Sequence, residues 1–249
     1  MSVRHFPLTE HGRSRIWLTR FAVLTLSTTL AIHPVSQAQA SYCTRDAMLV
    51  FDASSSMALP KTGPEPTRID EARRAMTAVM PDIAALRRIG LMIYGPPHSS
   101  RGQRGCDGIG LRFAPRADAA PSITAALAGL VPAGLTPLTA SVREAAEMLE
   151  HRKTPAIIVV ITDGIETCGG QPCELGRQLA DQSVDLTVHV IGFRRVRDPL
   201  ALDGASVEDE AHTRLRCLAQ KTGGTYADTD TVDELSAALR ERLGCMLVG

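Results

Sequence analysis

The chain has 249 residues, its 27 Lys and Arg are balanced by 27 Asp and Glu, and only 4% of it is aromatic. A neutral surface argues against nucleic acid or an anionic membrane as the main partner. Scarce rings argue against stacking on sugars or single strands.

Residues 1–40 carry the pattern of a secretory signal peptide. Arg4, Arg13, Arg15 and Arg20 form a basic leader, Phe21 to Ile32 is a short apolar stretch, and Ala38-Gln39-Ala40 is a cleavage signal before Ser41. The apolar stretch falls short of the ~20 residues that span a bilayer, and no later stretch is long enough, so no membrane span is expected after cleavage. Tyr42 before Cys43 is too bulky for a lipoprotein-type site. The leader takes four of the 27 basic and one of the 27 acidic residues, leaving 23 and 26 on a mature chain of 209 residues, 41–249. That length suits one well-buried domain. All six cysteines lie in this part. An even count in an exported chain reads as disulfides, and zinc is disfavoured because no C-x-x-C pair occurs.

Met48 to Phe51 is an apolar run ending in Asp52, the pattern of a buried strand with polar residues at its carboxyl end. After a Pro/Gly-rich loop, Thr67 to Leu86 has helical spacing, with Thr67 as N-cap, Asp70 and Glu71 in the first turn, and Pro81 expected to kink or break it. Arg88 to Tyr94 is a second strand. A Gly- and Arg-rich hairpin over 95–108 leads to Ile109 to Phe113, an antiparallel edge strand. Pro121 to Leu130 and Leu138 to Glu150 are helical. Ala156 to Thr162 is the most hydrophobic run of the mature chain, a strand buried on both faces. A helix from Cys173 to Gln182, a strand from Leu186 to Phe193 and a helix from Ala211 to Lys221 with a glycine C-cap follow. Thr225 to Asp228 is a last strand and Val232 to Leu243 a last helix, capped by Asp230 or Thr231. This alternation predicts one doubly wound α/β (Rossmann-like) domain, with a mostly parallel central sheet, one antiparallel edge strand and helices on both faces.

Three segments bring oxygen ligands to strand or helix ends: Asp52-x-Ser54-x-Ser56, Thr136 in Gly-Leu-Thr-Pro-Leu, and Asp163 in Ile-Thr-Asp-Gly. Each alone is an ordinary cap or turn. Together, beyond the carboxyl ends of strands, they form a hard-oxygen set suited to Mg²⁺ or a relative. The set resembles the metal-ion-dependent adhesion site of the von Willebrand factor A domain family, and all five positions are filled. The run Thr162 to Gly170 (TDGIETCGG) is similar to that of exported bacterial members.

The resemblance implies that Ser54 and Ser56 bind Mg²⁺ (or Mn²⁺ or Ca²⁺) directly and that Thr136 does so directly or through water. Asp52 and Asp163 would act mainly through water. Two carboxylates held at that distance leave the ion under-neutralised, so a vacant position would attract an Asp or Glu carboxylate of a partner protein. The expected function is therefore an exported, periplasmic or secreted, cation-dependent protein-binding module. It would not be an enzyme. Two rivals are a structural member of the family that binds without metal and a metal-dependent hydrolase. The second lacks a base, since Glu166, the nearest candidate, reads as a solvated loop acid.

Cys43 and Cys245 flank the first strand and last helix, so a staple between them is expected. The remaining four pair either as Cys168–Cys173 with Cys106–Cys217, or as Cys106–Cys168 with Cys173–Cys217; the second joins neighbours and is favoured. His189 reads as a satisfied core histidine, and His98, His151 and His212 as surface residues. Arg194, Arg195 and Arg197 read as solvated charge, or as a basic rim steering an acidic partner.

Overall fold

The computed structural model describes residues 44–60, 66–96, 105–193 and 205–245, with the side chains of 205–209 and 211 excepted. These residues fall in one of the chain's two compact units, Pro34–Gly249. The expected signal peptide, the Cys43–Cys245 staple through Cys43, His98, and Arg194, Arg195 and Arg197 lie outside the described residues.

Six strands pair in the order β3-β2-β1-β4-β5-β6. They are β1 (Asp46–Asp52), β2 (Ile89–Tyr94), β3 (Ile109–Arg116), β4 (Ala156–Thr162), β5 (Leu186–Phe193) and β6 (Tyr226–Thr229). Every neighbouring pair is parallel except β2 and β3, which join antiparallel at one edge. The helices are α1 (Arg68–Ala84), α2 (Ala120–Ala128), α3 (Leu138–Met148), α4 (Pro172–Gln182), α5 (Ala205–Lys221) and α6 (Val232–Leu243).

Side chains alternate across a strand, so β1 feeds two cores at once. Ala47, Leu49 and Phe51 face α1, α2 and α6, while Met48 and Val50 face α3, α4 and α5. Residues Ala47 to Asp52 are fully buried. A strand with no solvent face must read as an unbroken apolar run, and β1 and β4 do. The two central strands thus pack on both sides and hold whatever emerges from their ends.

Local signals set the helix starts. The Thr67 hydroxyl accepts from Asp70 N at the start of α1. At α6, Thr231 and Glu234 exchange side-chain and backbone hydrogen bonds in a full capping box, which settles the cap on Thr231. Pro81 does not break α1, which runs on to Ala84. Pro81 and Thr77 both lie on the exposed face, so the carbonyl that loses its N–H partner faces water. Met76, Val79, Met80 and Ile83 pack on the other face. α5 begins at Ala205, six residues before the expected start. His151 is buried, not a surface residue; its Nδ1 meets Ser183 Oγ at 2.7 Å. His189 is buried as expected, its Nδ1 accepting from Thr225 N at 3.2 Å.

Two disulfides bridge described residues. Cys106–Cys168 and Cys173–Cys217 have Cα separations of 5.7 and 5.0 Å, the neighbour-joining pattern. Among the described residues no helix is long and apolar enough to cross a membrane.

Candidate metal centre

The chain leaves β1 toward β2 and leaves β4 toward β5, so the sheet divides between its two central strands. Such a switch point opens a crevice at the carboxyl ends of the strands. Asp52 is the last residue of β1 and Asp163 the first after β4. Asp52 is fully buried. Its Oδ1 accepts from Ser54 N at 2.8 Å and its Oδ2 from Thr162 Oγ1 at 2.6 Å. Ser54 Oγ lies 3.0 Å from Ser56 Oγ, which donates to Asp163 Oδ1 at 2.6 Å. The other oxygen of Asp163 accepts from Arg68 Nη1, in an ion pair whose side chains are 4% and 0% exposed.

The loops are fastened to one another around these groups. Ser55 gives both its N–H and its hydroxyl to Gly134 O, at 3.2 and 3.1 Å, and Ala133 N reaches Ala53 O at 2.9 Å. Gly134 has φ +75°, a turn that suits glycine. Gly95, with φ +119°, passes so close to Ala53 that a Cβ would sit 2.4 Å from its carbonyl. Thr136 is buried and tied by its N–H to Thr167 Oγ1 at 2.8 Å. A methyl on Gly164 would lie 3.5 Å from Ser56 Oγ and 3.9 Å from Thr136 Oγ1, so both hydroxyls flank one spot. Glu166 is not a solvated acid. Its carboxylate accepts from Thr139 N at 2.7 Å, at the start of α3, and from Cys168 N at 2.8 Å.

Burial, reinforced by the charge of Asp163, pushes the Asp52 carboxyl up to about 6, against the lowering effect of its bonds from Ser54 and Thr162. Tyr94 stands beside Asp52 in the β1–β2 register. Its buried phenol is held well above its usual range, first by burial and then by the charge of Asp52.

The donors suit a small hard cation. Adjacent ligands of an octahedral ion at 2.0–2.1 Å are separated by about 2.9 Å. The 3.0 Å between Ser54 Oγ and Ser56 Oγ matches one such edge without movement. The Ser56 proton is given to Asp163, which leaves its lone pairs to face the ion. Among the described residues no group of three or more His, Cys, Asp or Glu is gathered for a metal, so the fit rests on hydroxyls with two carboxylates behind them.

All five expected residues lie close together where β1 and β4 end. Asp163 bonds Ser56, Ser56 meets Ser54, and Ser54 reaches back to Asp52; Thr136 joins them across Gly164 rather than by a hydrogen bond. Sequence reasoning missed Thr162 and Arg68. Thr162 has a β-strand address that gave no hint of its clamp on Asp52. Arg68 did leave a signal: a cation in the first turn of a helix opposes the helix dipole and calls for an anionic neighbour.

Residues 47–166 match the family model of the von Willebrand factor type A domain. The chain is 25% identical over 150 residues to the uncharacterized protein YwmC of Bacillus subtilis (strain 168), covering 58% of this chain and 64% of that one. To YwmD of the same organism it is 24% identical over 215 residues, 84% of this chain and 90% of that one. Among solved structures, an aerotolerance-related membrane protein from Bacteroides fragilis NCTC 9343, with multiple mutations to serines, superposes with a TM-score of 0.58 at 18% identity. That alignment covers 81% of this chain and 100% of the other. The pilus adhesin SpaC from Lactobacillus rhamnosus GG gives 0.58 at 14% identity, over 80% of this chain and 30% of SpaC. Proximal thread matrix protein 1 from the mussel byssus, with a zinc-occupied MIDAS motif, gives 0.52 at 16% identity, over 81% and 46%. Residues 47–166 are thus similar to the von Willebrand factor type A domain, and the sheet order and these neighbours agree with its fold.

Proposed function

We propose that the chain is an exported protein-binding module that holds a divalent cation on Ser54, Ser56 and Thr136, with Asp52 and Asp163 behind them. The observation that carries this reading is the 3.0 Å hydroxyl edge of Ser54 and Ser56, backed by a carboxylate on each side. A cation held there supplies a Lewis-acidic position for an Asp or Glu carboxylate of a partner protein. Asp52 fixes the loop through Ser54 N, and Asp163 orients the Ser56 hydroxyl. A pilus adhesin and a matrix protein with a zinc-occupied site share the fold, which fits a binding role. Mg²⁺ is the favoured ion because it tolerates water-bridged carboxylates. Turnover is disfavoured, since the carboxylate once considered as a base, Glu166, spends both oxygens on backbone N–H groups.

Isothermal titration of Mg²⁺ and Mn²⁺ into the purified chain tests the site. Saturable binding is expected, reduced at least tenfold in Asp52→Ala; equal binding by that variant would remove the assignment.

The Arg68–Asp163 pair favours a second reading, in which a guanidinium holds the site together and partner contact needs no metal. Affinity capture from the exported fraction separates the two. Partners released by EDTA support the first reading, and partners that ignore EDTA support the second.

A further inference from the structure

The crevice already contains a cation. Arg68 is buried, and its guanidinium bonds only Asp163 among the described residues. Its buried Nε has no hydrogen-bond partner, and no second anchor holds the guanidinium among the described residues. The backbone of Arg68 is tied to the serine loop: its N–H donates to Leu59 O at 3.1 Å, and Leu59 N donates to Ser56 O at 3.0 Å. Both oxygens of Asp163 are thereby engaged, one by Ser56 and one by Arg68.

Charge decides what happens when a dication arrives. Arg68 and a dication together would set three positive charges against the two carboxylates, Asp52 and Asp163, among buried side chains. Like charges repel more strongly where water is excluded. With Arg68 withdrawn, two charges face two. With the dication absent, Arg68 spares the site the cost of a second unpaired buried carboxylate.

We propose that Arg68 is a resident counter-ion that competes with the dication for Asp163, so the centre alternates between an arginine-closed state and a metal-ready state. This rests on the reading of the crevice as a metal centre. Arg68 keeps Ser56 and Asp163 in place without metal and lowers metal affinity, so that the site loads only where the dication is abundant.

The test compares the purified wild-type chain with Arg68→Gln and Arg68→Lys, by Mn²⁺ titration calorimetry and by thermal unfolding in EDTA and in Mn²⁺. Arg68→Gln is expected to bind Mn²⁺ about tenfold more tightly or better, while Arg68→Lys, which keeps the charge, stays near wild type. Arg68→Gln is also expected to melt lower than wild type in EDTA and to gain more from Mn²⁺. Equal or weaker Mn²⁺ binding by Arg68→Gln overturns the proposal and leaves the metal centre standing. Equal tightening by Arg68→Lys overturns it as well, because charge is then not the cause. Binding by neither wild type nor variant overturns the metal centre itself and this inference with it. If Arg68→Gln does not fold in EDTA, recovery of folded protein on refolding in Mn²⁺ supports the competition. Failure to fold at any Mn²⁺ concentration, while Arg68→Lys folds and binds, overturns it.

Discussion

Asp52 is the residue on which local structure and site chemistry meet. Its folded-state carboxyl is raised to about 6 by burial and by Asp163, against an ordinary value of 3.8. The folded chain therefore holds this proton more tightly than the unfolded chain does. Stability from this group is present below pH 3.8 and is lost as pH rises to about 6, by on the order of 3 kcal/mol. In EDTA, Asp52→Asn removes that loss: its amide oxygen can take the Ser54 N–H while its NH₂ faces Thr162. Urea unfolding in EDTA at pH 7 should find Asp52→Asn at least as stable as wild type, although it binds dication poorly. A residue that costs stability in this way fits the metal-centre role proposed for it.

The elements differ in how plainly their own residues announce them. β4 was legible to the residue, and β1 from Met48 to Asp52 though not at its start, Asp46, because strands buried on both faces carry an unbroken apolar signal only where they are apolar. α6 was equally legible, its capping box being purely local. Pro81 misled because a single-residue rule ignores which face the residue occupies. His151 misled because its partner, Ser183, sits 32 residues away at the end of α4. In the candidate site, Asp52, Ser54, Ser56, Thr136 and Asp163 were visible as a spaced oxygen set. Thr162 and Arg68 were not, since their contacts lie 110 and 95 residues from them in sequence. Thr231→Ala should cost about 1 kcal/mol by losing half of the capping box, measured by urea unfolding. Replacing Cys173 and Cys217 by Ser opens a 44-residue link between α4 and α5 and should cost up to about 4 kcal/mol in the same assay.

At the scale of the whole molecule, two buried groups titrate in opposition. Burial, then the charge of Arg242, depresses the His189 imidazole to about 4 from 6.5. The unfolded chain then binds the extra proton between those values, so stability rises with pH there and is lost as pH falls toward 4. Asp52 has the reverse slope over nearly the same window. In EDTA the two should therefore act against each other between about pH 4 and 6. His189→Gln should expose a fall in stability as pH rises, and Asp52→Asn a fall as pH drops, both followed by urea midpoints. If the two slopes fail to separate in these variants, the pairing of opposed groups is wrong.

The clamp from Thr162 to Asp52 has a consequence for how the protein is made. It joins strands 110 residues apart in the chain, and both serines depend on the loop that Asp52 fixes. Contacts so distant in sequence form late, after the cost of closing the intervening loop has been met. Under the proposed function a nascent or half-folded chain would therefore have no metal centre to fill. Dication should leave the refolding rate unchanged and slow unfolding alone, a pattern visible in stopped-flow chevrons recorded with Mg²⁺ and with EDTA. Under the proposed function the chain would become competent to hold a partner only once β1 and β4 have paired, so binding would report that folding is complete.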